Sequence, residues 1–179
     1  MKFIFSLLIL IISISYLRPT NQQFTPTELR SQYRSALLKY EGASYAAAGE
    51  PGGISCSTLI RRAFIDTLAI DKESRQQIQS QPCYSVELRE GCNGHLSNVL
   101  ETNGLDKVNY EQIQIGDIAT LGDSVAFHSM AYIGNKTWIH ADPIAQKVSY
   151  YEVSDSDKNI WSVYKVKILR WNVLDDKNH

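Results

Sequence analysis

At 179 residues, 44% hydrophobic and 21% charged, the chain is long enough for one domain with a real core, and its composition excludes a disordered protein. Its formal net charge of -1, with no long basic run and no basic-aromatic interleaving, gives no reason to expect nucleic acid as a partner.

The first residues differ in kind from the rest. Met1 and Lys2 lead into a largely apolar run from Phe3 to Leu17, which reads as a secretory signal core. The run is shorter than the ~20 residues that a helix needs to span a bilayer. Its small-residue cleavage pattern, Ser13-Ile14-Ser15, is weak, so an uncleaved N-terminal membrane anchor through residues 3–17 is the alternative. No cysteine follows at a lipobox-like spacing, which argues against a lipoprotein. The expected division is residues 1–20 as signal peptide or anchor and residues 21–179 as one exported domain, periplasmic or extracellular. Removing residues 1–20 takes away Lys2 and Arg18 and no acid, so the exported part is mildly acidic.

Past a polar linker, Thr25-Pro26-Thr27-Glu28 marks a helix start, with Thr25 as cap, Pro26 in the first turn and Glu28 closing a capping box. Leu29, Tyr33, Ala36, Leu37 and Tyr40 recur at helical spacing until Gly42. A loop follows, from Tyr45 through Ala46-Ala47-Ala48-Gly49-Glu50-Pro51-Gly52-Gly53, whose small residues allow close backbone approach. Ser55 is placed to cap a second helix with an inward stripe of Leu59, Ile60, Ala63, Phe64 and Leu68. Residues 70–110 read as an irregular insertion, with a patchy helical pattern around Val86, Leu88, Leu96, Val99 and Leu100 broken by Gly91 and Gly94. After Gly104 the pattern turns to strands: Gly116 to Leu121, Val125 to Ile133, a Gly134-Asn135 hairpin signal, Thr137 to His140, Lys147 to Val153, and Trp161 to Trp171. Helices first and an antiparallel meander second is an α+β plan.

The three cysteines leave one unpaired in an exported protein. Cys83 and Cys92 are near neighbours in a Pro- and Gly-rich stretch, and a local disulfide is their natural pairing. A metal site from Cys83, Cys92 and His95 is the sharper alternative, but three ligands at that spacing match no familiar zinc pattern. No metal and no cofactor is expected. Cys56 is then the free thiol, at a helix start where unpaired N–H groups and the helix dipole favour negative charge. His128 and His140 sit on adjacent expected strands joined by one tight turn. A thiol, a base and an orienting group make a nucleophilic site for amide or ester carbonyls. Cys56 is the nucleophile, His128 the proton carrier, His140 the residue that fixes the tautomer of His128, and the Cys56 backbone N–H an oxyanion donor.

The blocks that carry these residues resemble a known family. Tyr45 with Gly52-Gly53-Ile54-Ser55-Cys56-Ser57, then Gly116-Asp117-Ile118, then His128-Ser129-Met130-Ala131-Tyr132-Ile133-Gly134, then Trp138-Ile139-His140-Ala141 are similar, in order, to the NlpC family of cell-wall cysteine peptidases within the papain-like superfamily. The resemblance covers roughly residues 30–145. It implies a papain-like α+β fold, N-terminal helices packed on an antiparallel sheet, and hydrolysis of amide bonds in peptidoglycan stem peptides, often next to D-glutamate. Cys56, His128 and His140 match its catalytic positions. Tyr45 matches a tyrosine lining the site, and Ser55 and Ser57 flank the nucleophile as substrate-binding candidates. The family usually has Asp before the cysteine and Gly two after it; here they are Ser55 and Thr58. Two other readings remain beside it: acyl transfer or ester cleavage at the same site, and a catalytically inactive domain that binds wall fragments or a partner protein.

Overall fold

The computed structural model describes residues 24–47, 51–81, 83–123, 127–154 and 160–178. The expected leader, residues 1–20, lies outside them. Helix α1 (Pro26–Leu38) opens with the expected capping box: Thr25 Oγ1 accepts from the Glu28 N–H at 3.3 Å, and Glu28 accepts from the Thr25 N–H at 2.8 Å. The helix stops at Leu38, before Tyr40, and Gly42 sits in the following turn at φ 75. Helix α2 (Cys56–Asp66) starts at the free cysteine. It ends earlier than its apolar pattern suggested: Thr67 turns its hydroxyl back onto Ala63 O at 2.8 Å, and Leu68, expected inward, is 79% exposed.

Residues 70–110 are more regular than expected. They form α3 (Lys72–Ser80), the short α4 (Ser85–Arg89) and a strand, β1 (Leu96–Asn103). Leu96, Val99 and Leu100 therefore belong to a strand rather than to a broken helix. The strand pairs antiparallel with the last one, from Leu96 opposite Trp171 to Asn103 opposite Lys165, with a bulge between Asn98 and Leu100 that disturbs its alternation.

The remaining strands are β2 (Ile118–Leu121), β3 (His128–Gly134), β4 (Thr137–Asp142), β5 (Lys147–Glu152) and β6 (Lys165–Trp171). They match the expected runs, except that the last begins at Lys165, the second begins at His128, and residues 125–126 of that second run lie outside the described set. All six form one antiparallel sheet in the order β1-β6-β2-β3-β4-β5. This is the expected α+β, papain-like arrangement of N-terminal helices on an antiparallel sheet.

The pleat sorts the sheet residues into two cores. Ala131, Ile133, Ile139, Ala141 and Leu169 face the helices, where they join Tyr33, Leu37, Leu59, Ile60 and Phe64. Met130, Tyr132, Trp138, Val166 and Ile168 face the other way, covered by Leu105, Val108, Ile113 and Trp161. Both faces of β2 and β3 are buried, so neither strand alternates between a core face and a solvent face. Trp171 fixes the helices to the sheet: its ring lies 4.3 Å from Phe64, its indole N–H donates to Tyr33 Oη at 3.3 Å, and Tyr33 donates to Ile60 O at 3.2 Å.

Candidate active site

Cys56 is placed by a loop with little room for variation. Ile54 N–H donates to Ser44 O at 2.9 Å and Ala46 N–H donates to Ile54 O at 3.3 Å, which lays the two segments side by side. A Cβ on Gly53 would fall 2.5 Å from Ala46 Cβ and 2.8 Å from the Tyr45 carbonyl carbon, so only glycine fits there. Tyr45, half-buried, bridges to Ile54 along this same loop. Ser55 is the N-cap, as expected: its Oγ accepts from the Thr58 N–H at 3.3 Å and donates to Thr58 Oγ1 at 2.8 Å. Ser55 and Ser57, expected among substrate contacts, are both buried, and Ser55 spends its hydroxyl on the helix start. Cys56 itself is half-buried and is the first residue of α2, where backbone N–H groups have no partner inside the helix.

The two histidines meet by strand register. Tight turning at Asn135 and Lys136, both at positive φ (53 and 54), sets Ala131 opposite Ile139. His128 and His140 are thus diagonal neighbours on one face of β3 and β4, the kind of offset that ring side chains bridge. His128 Nε2 lies 2.9 Å from His140 Nδ1. Trp161, in the short turn before β6, stacks on His128 with ring centroids 4.3 Å apart and stands edge-on to His140 at 5.6 Å. Burial pushes the His128 imidazole down to about 4, against a partial upward pull from the Asp142 carboxylate. His140 is also held below its ordinary value, first by burial and then by its neighbour His128. Both rings are therefore neutral at pH 7, one donating the shared hydrogen bond and one accepting it.

That burial has a consequence for acid stability. An imidazole whose value falls from 6.5 unfolded to about 4 folded resists protonation only in the native state. Its contribution is whole above about 6.5 and is lost as the pH falls towards about 4, where the loss amounts to roughly 3 kcal/mol. Urea denaturation at pH 7 and at pH 4.5 should show the loss, and His128→Gln should lose less between the same two pH values.

Two residues that sequence reasoning did not assign connect the cysteine to β3. Cys56 Sγ lies 3.4 Å from Ser85 Oγ, and Ser85 Oγ lies 3.4 Å from Ser129 Oγ, the residue after His128. Ser85 is the first residue of α4, and the expected Cys83–Cys92 disulfide is present around that helix. The bond between these two sulfurs removes them from any metal set with His95. Arg61 of α2 donates to Ile78 O and Gln81 O at 3.2 Å and 2.9 Å, holding the end of α3 against α2. Among the described residues the thiol's hydrogen-bond partner is Ser85, and no hydrogen bond joins it directly to His128. Ser85 and Trp161 carry no local signal that could have marked them; Ser129 adjoins a candidate histidine.

The arrangement is that of a half-buried thiol at a helix start, beside a strand bearing one of two hydrogen-bonded histidines; alternation along β3 turns Ser129 towards Ser85 and the thiol and turns the His128 ring towards Trp161. A thiol and an imidazole are the groups that carbonyl attack and proton transfer need. The NlpC/P60 family model matches residues 40–170. Among solved structures, the chain is similar to an N-acetylmuramoyl-L-alanine amidase from Bacteroides uniformis (TM-score 0.58, 16% identity, 80% of this chain and 99% of that one). It is also similar to the peptidoglycan hydrolase RipB from Mycobacterium tuberculosis (TM-score 0.52, 16% identity, 78% of this chain and 64% of that one). NlpC1 from Trichomonas vaginalis gives a TM-score of 0.52 at 19% identity over 79% of this chain, which spans only 43% of that protein. None of the curated proteins matches the chain in sequence. With a family model running from Tyr40 through β6, and with the fold on which that family is built, the chain belongs to the NlpC/P60 family.

Proposed function

We propose that the domain is an exported cysteine peptidase or amidase that hydrolyses amide bonds of peptidoglycan stem peptides through Cys56, His128 and His140. The observation that carries the reading is the 2.9 Å bond between two buried histidines on the strands beside a helix-start cysteine. Family membership and the amidase and peptidoglycan hydrolase among its structural neighbours support the substrate class. The leader-like residues 3–17 and the Cys83–Cys92 disulfide support export. No helix among the described residues is long and apolar enough to cross a membrane, so attachment, if the leader is retained, falls to residues 3–17.

The chemistry then runs in two halves. His128 Nδ1 takes the thiol proton, and the thiolate forms a bond to the amide carbon while the Cys56 N–H steadies the oxyanion. Collapse breaks the C–N bond, and His128 passes its proton to the leaving amine. Water, deprotonated by His128, then attacks the thioester, and the thiolate leaves and is reprotonated. Contacts between catalytic groups are often long before substrate binds, and the Cys56 thiol resting on Ser85 fits that pattern. Ser85 touches the sulfur and Ser129 touches Ser85.

Mass analysis of peptidoglycan digested by residues 21–179 tests the reading. Pairs of stem-peptide fragments whose combined mass exceeds that of the parent by one water for each broken amide are expected. A clear preference for acyl esters over muropeptides would overturn the substrate assignment.

A further inference from the structure

We propose that Asp142 is a positioning residue that holds His140 in one tautomer and thereby leaves Nδ1 of His128 free to accept the thiol proton. This rests on the cysteine-histidine reading above. Asp142 Oδ2 lies 3.9 Å from His140 Nε2, the ring nitrogen that does not face His128. The carboxylate is locked where it stands. Its Oδ1 accepts the Ile144 N–H at 2.7 Å, and its Oδ2 accepts from Ser149 Oγ at 3.4 Å, across from His140 on β5. His140 is 1% exposed and the Asp142 side chain 17%, so solvent screens this charge only in part.

The hydrogen-bond chain has two directions, and a carboxylate selects one. With the His140 proton on Nε2, towards Asp142, Nδ1 is an acceptor and His128 must donate from Nε2; His128 Nδ1 then holds a lone pair. With the His140 proton on Nδ1, His128 accepts at Nε2 and carries its own proton on Nδ1, where it cannot take another. A negative charge beside Nε2 favours the first arrangement, and it also favours the imidazolium that forms on His128 during attack. Among the described residues, Trp161, Ser149 and Lys147 do not compete for the histidine pair. Trp161 stacks on it, Ser149 is neutral, and Lys147, opposite Asp142 in the β4–β5 register, is exposed at the strand edge. The resemblance that matches Cys56, His128 and His140 assigns Asp142 no role.

Asp142→Asn is the informative variant, because an amide oxygen can still accept the Ile144 N–H while the new NH2 replaces the carboxylate as a donor. Two readouts are taken. Nitrogen-15 spectra of labelled histidine should show His140 protonated on Nε2 in the parent and on Nδ1 in the variant, and the same shift in a Cys56→Ala background, where no turnover is needed. On muropeptide substrate, kcat should fall roughly 10–100-fold with KM unchanged. Parent tautomers in the variant would overturn the proposal, and so would a tautomer shift with unchanged kcat. If Cys56→Ala itself cleaves at the parent rate, the cysteine reading falls and the spectra alone decide on Asp142.

Discussion

Cys56→Ala should lower kcat/KM on muropeptides by roughly 10⁴-fold or more, while the melting temperature stays close to that of the parent. Both halves follow from the position of the residue. Everything in the proposed reaction passes through a bond from Sγ to carbon, and no other thiol can replace it, since Cys83 and Cys92 are bonded to each other. Stability depends little on Sγ. Ser55 caps α2, the thiol is half-buried, and its hydrogen bond to Ser85 is a long 3.4 Å. Alanine is also the best helix former. Loss of activity with an unchanged unfolding curve therefore separates a nucleophile from a packing residue. The binding-only alternative makes a different forecast: parent and variant are equally inactive, and Cys56 is alkylated at neutral pH no faster than a free thiol peptide. Equal, measurable cleavage by parent and variant would remove the cysteine from the chemistry altogether.

What could be read before the fold was seen follows a physical line between local and distant interactions. Thr25 with Glu28, and Ser55 before α2, are caps whose partners lie three residues away, so sequence spacing alone specifies them. His128 and His140 are twelve residues apart, but the Gly134-Asn135 turn between them made their meeting a short-range matter. Asp142 lies beyond His140, the expected end of its strand; only the observed extension of β4 to Asp142 puts the two residues on one face. β1 was obscure because its order comes from the far end of the chain: Leu96 pairs with Trp171, and the bulge near Val99 breaks the period that would have marked it. Ser85 reaches the thiol because α4, held by the disulfide, packs on α2, and Trp161 reaches His128 from the turn between β5 and β6. Those placements arise from packing between segments that share no local pattern. The Ser55 departure is also clearer. Where the family usually has an acid, this chain has a buried hydroxyl whose hydrogen bonds both go to Thr58, the other residue at which it departs.

Asp117→Ala should cost more stability than any change near the thiol, about 3–5 kcal/mol. In the sequence Gly116-Asp117 stood among the blocks of the family resemblance, and the structure gives it an architectural task. Arg170 Nε and Nη2 each donate to Asp117 at 2.7 Å in a two-pronged pair, and the Gln114 N–H donates to the same carboxylate at 2.8 Å. Asp117 is 1% exposed and Arg170 8%, so both charges have left water. The Asp117 backbone adds a second tie: its carbonyl accepts the Tyr132 N–H at 2.8 Å, and the neighbouring Gly116 N–H donates to Tyr132 O at 2.9 Å. Asp117 thus joins β6, through Arg170, to β3, the strand that carries His128. Alanine would leave the guanidinium buried with Asp175 at 3.7 Å and the Gln112 carbonyl at 3.4 Å, poor compensation for two short charged hydrogen bonds. For a domain of this size the loss corresponds to a fall of roughly 10 °C in melting temperature. The cost arises from orphaning one charge and not from any large net gain by the pair, so Asp117→Leu combined with Arg170→Leu should recover most of it. Chemical denaturation of both variants decides. A single variant within about 1 kcal/mol of the parent would mean that Asp117 does not hold β6 to β3.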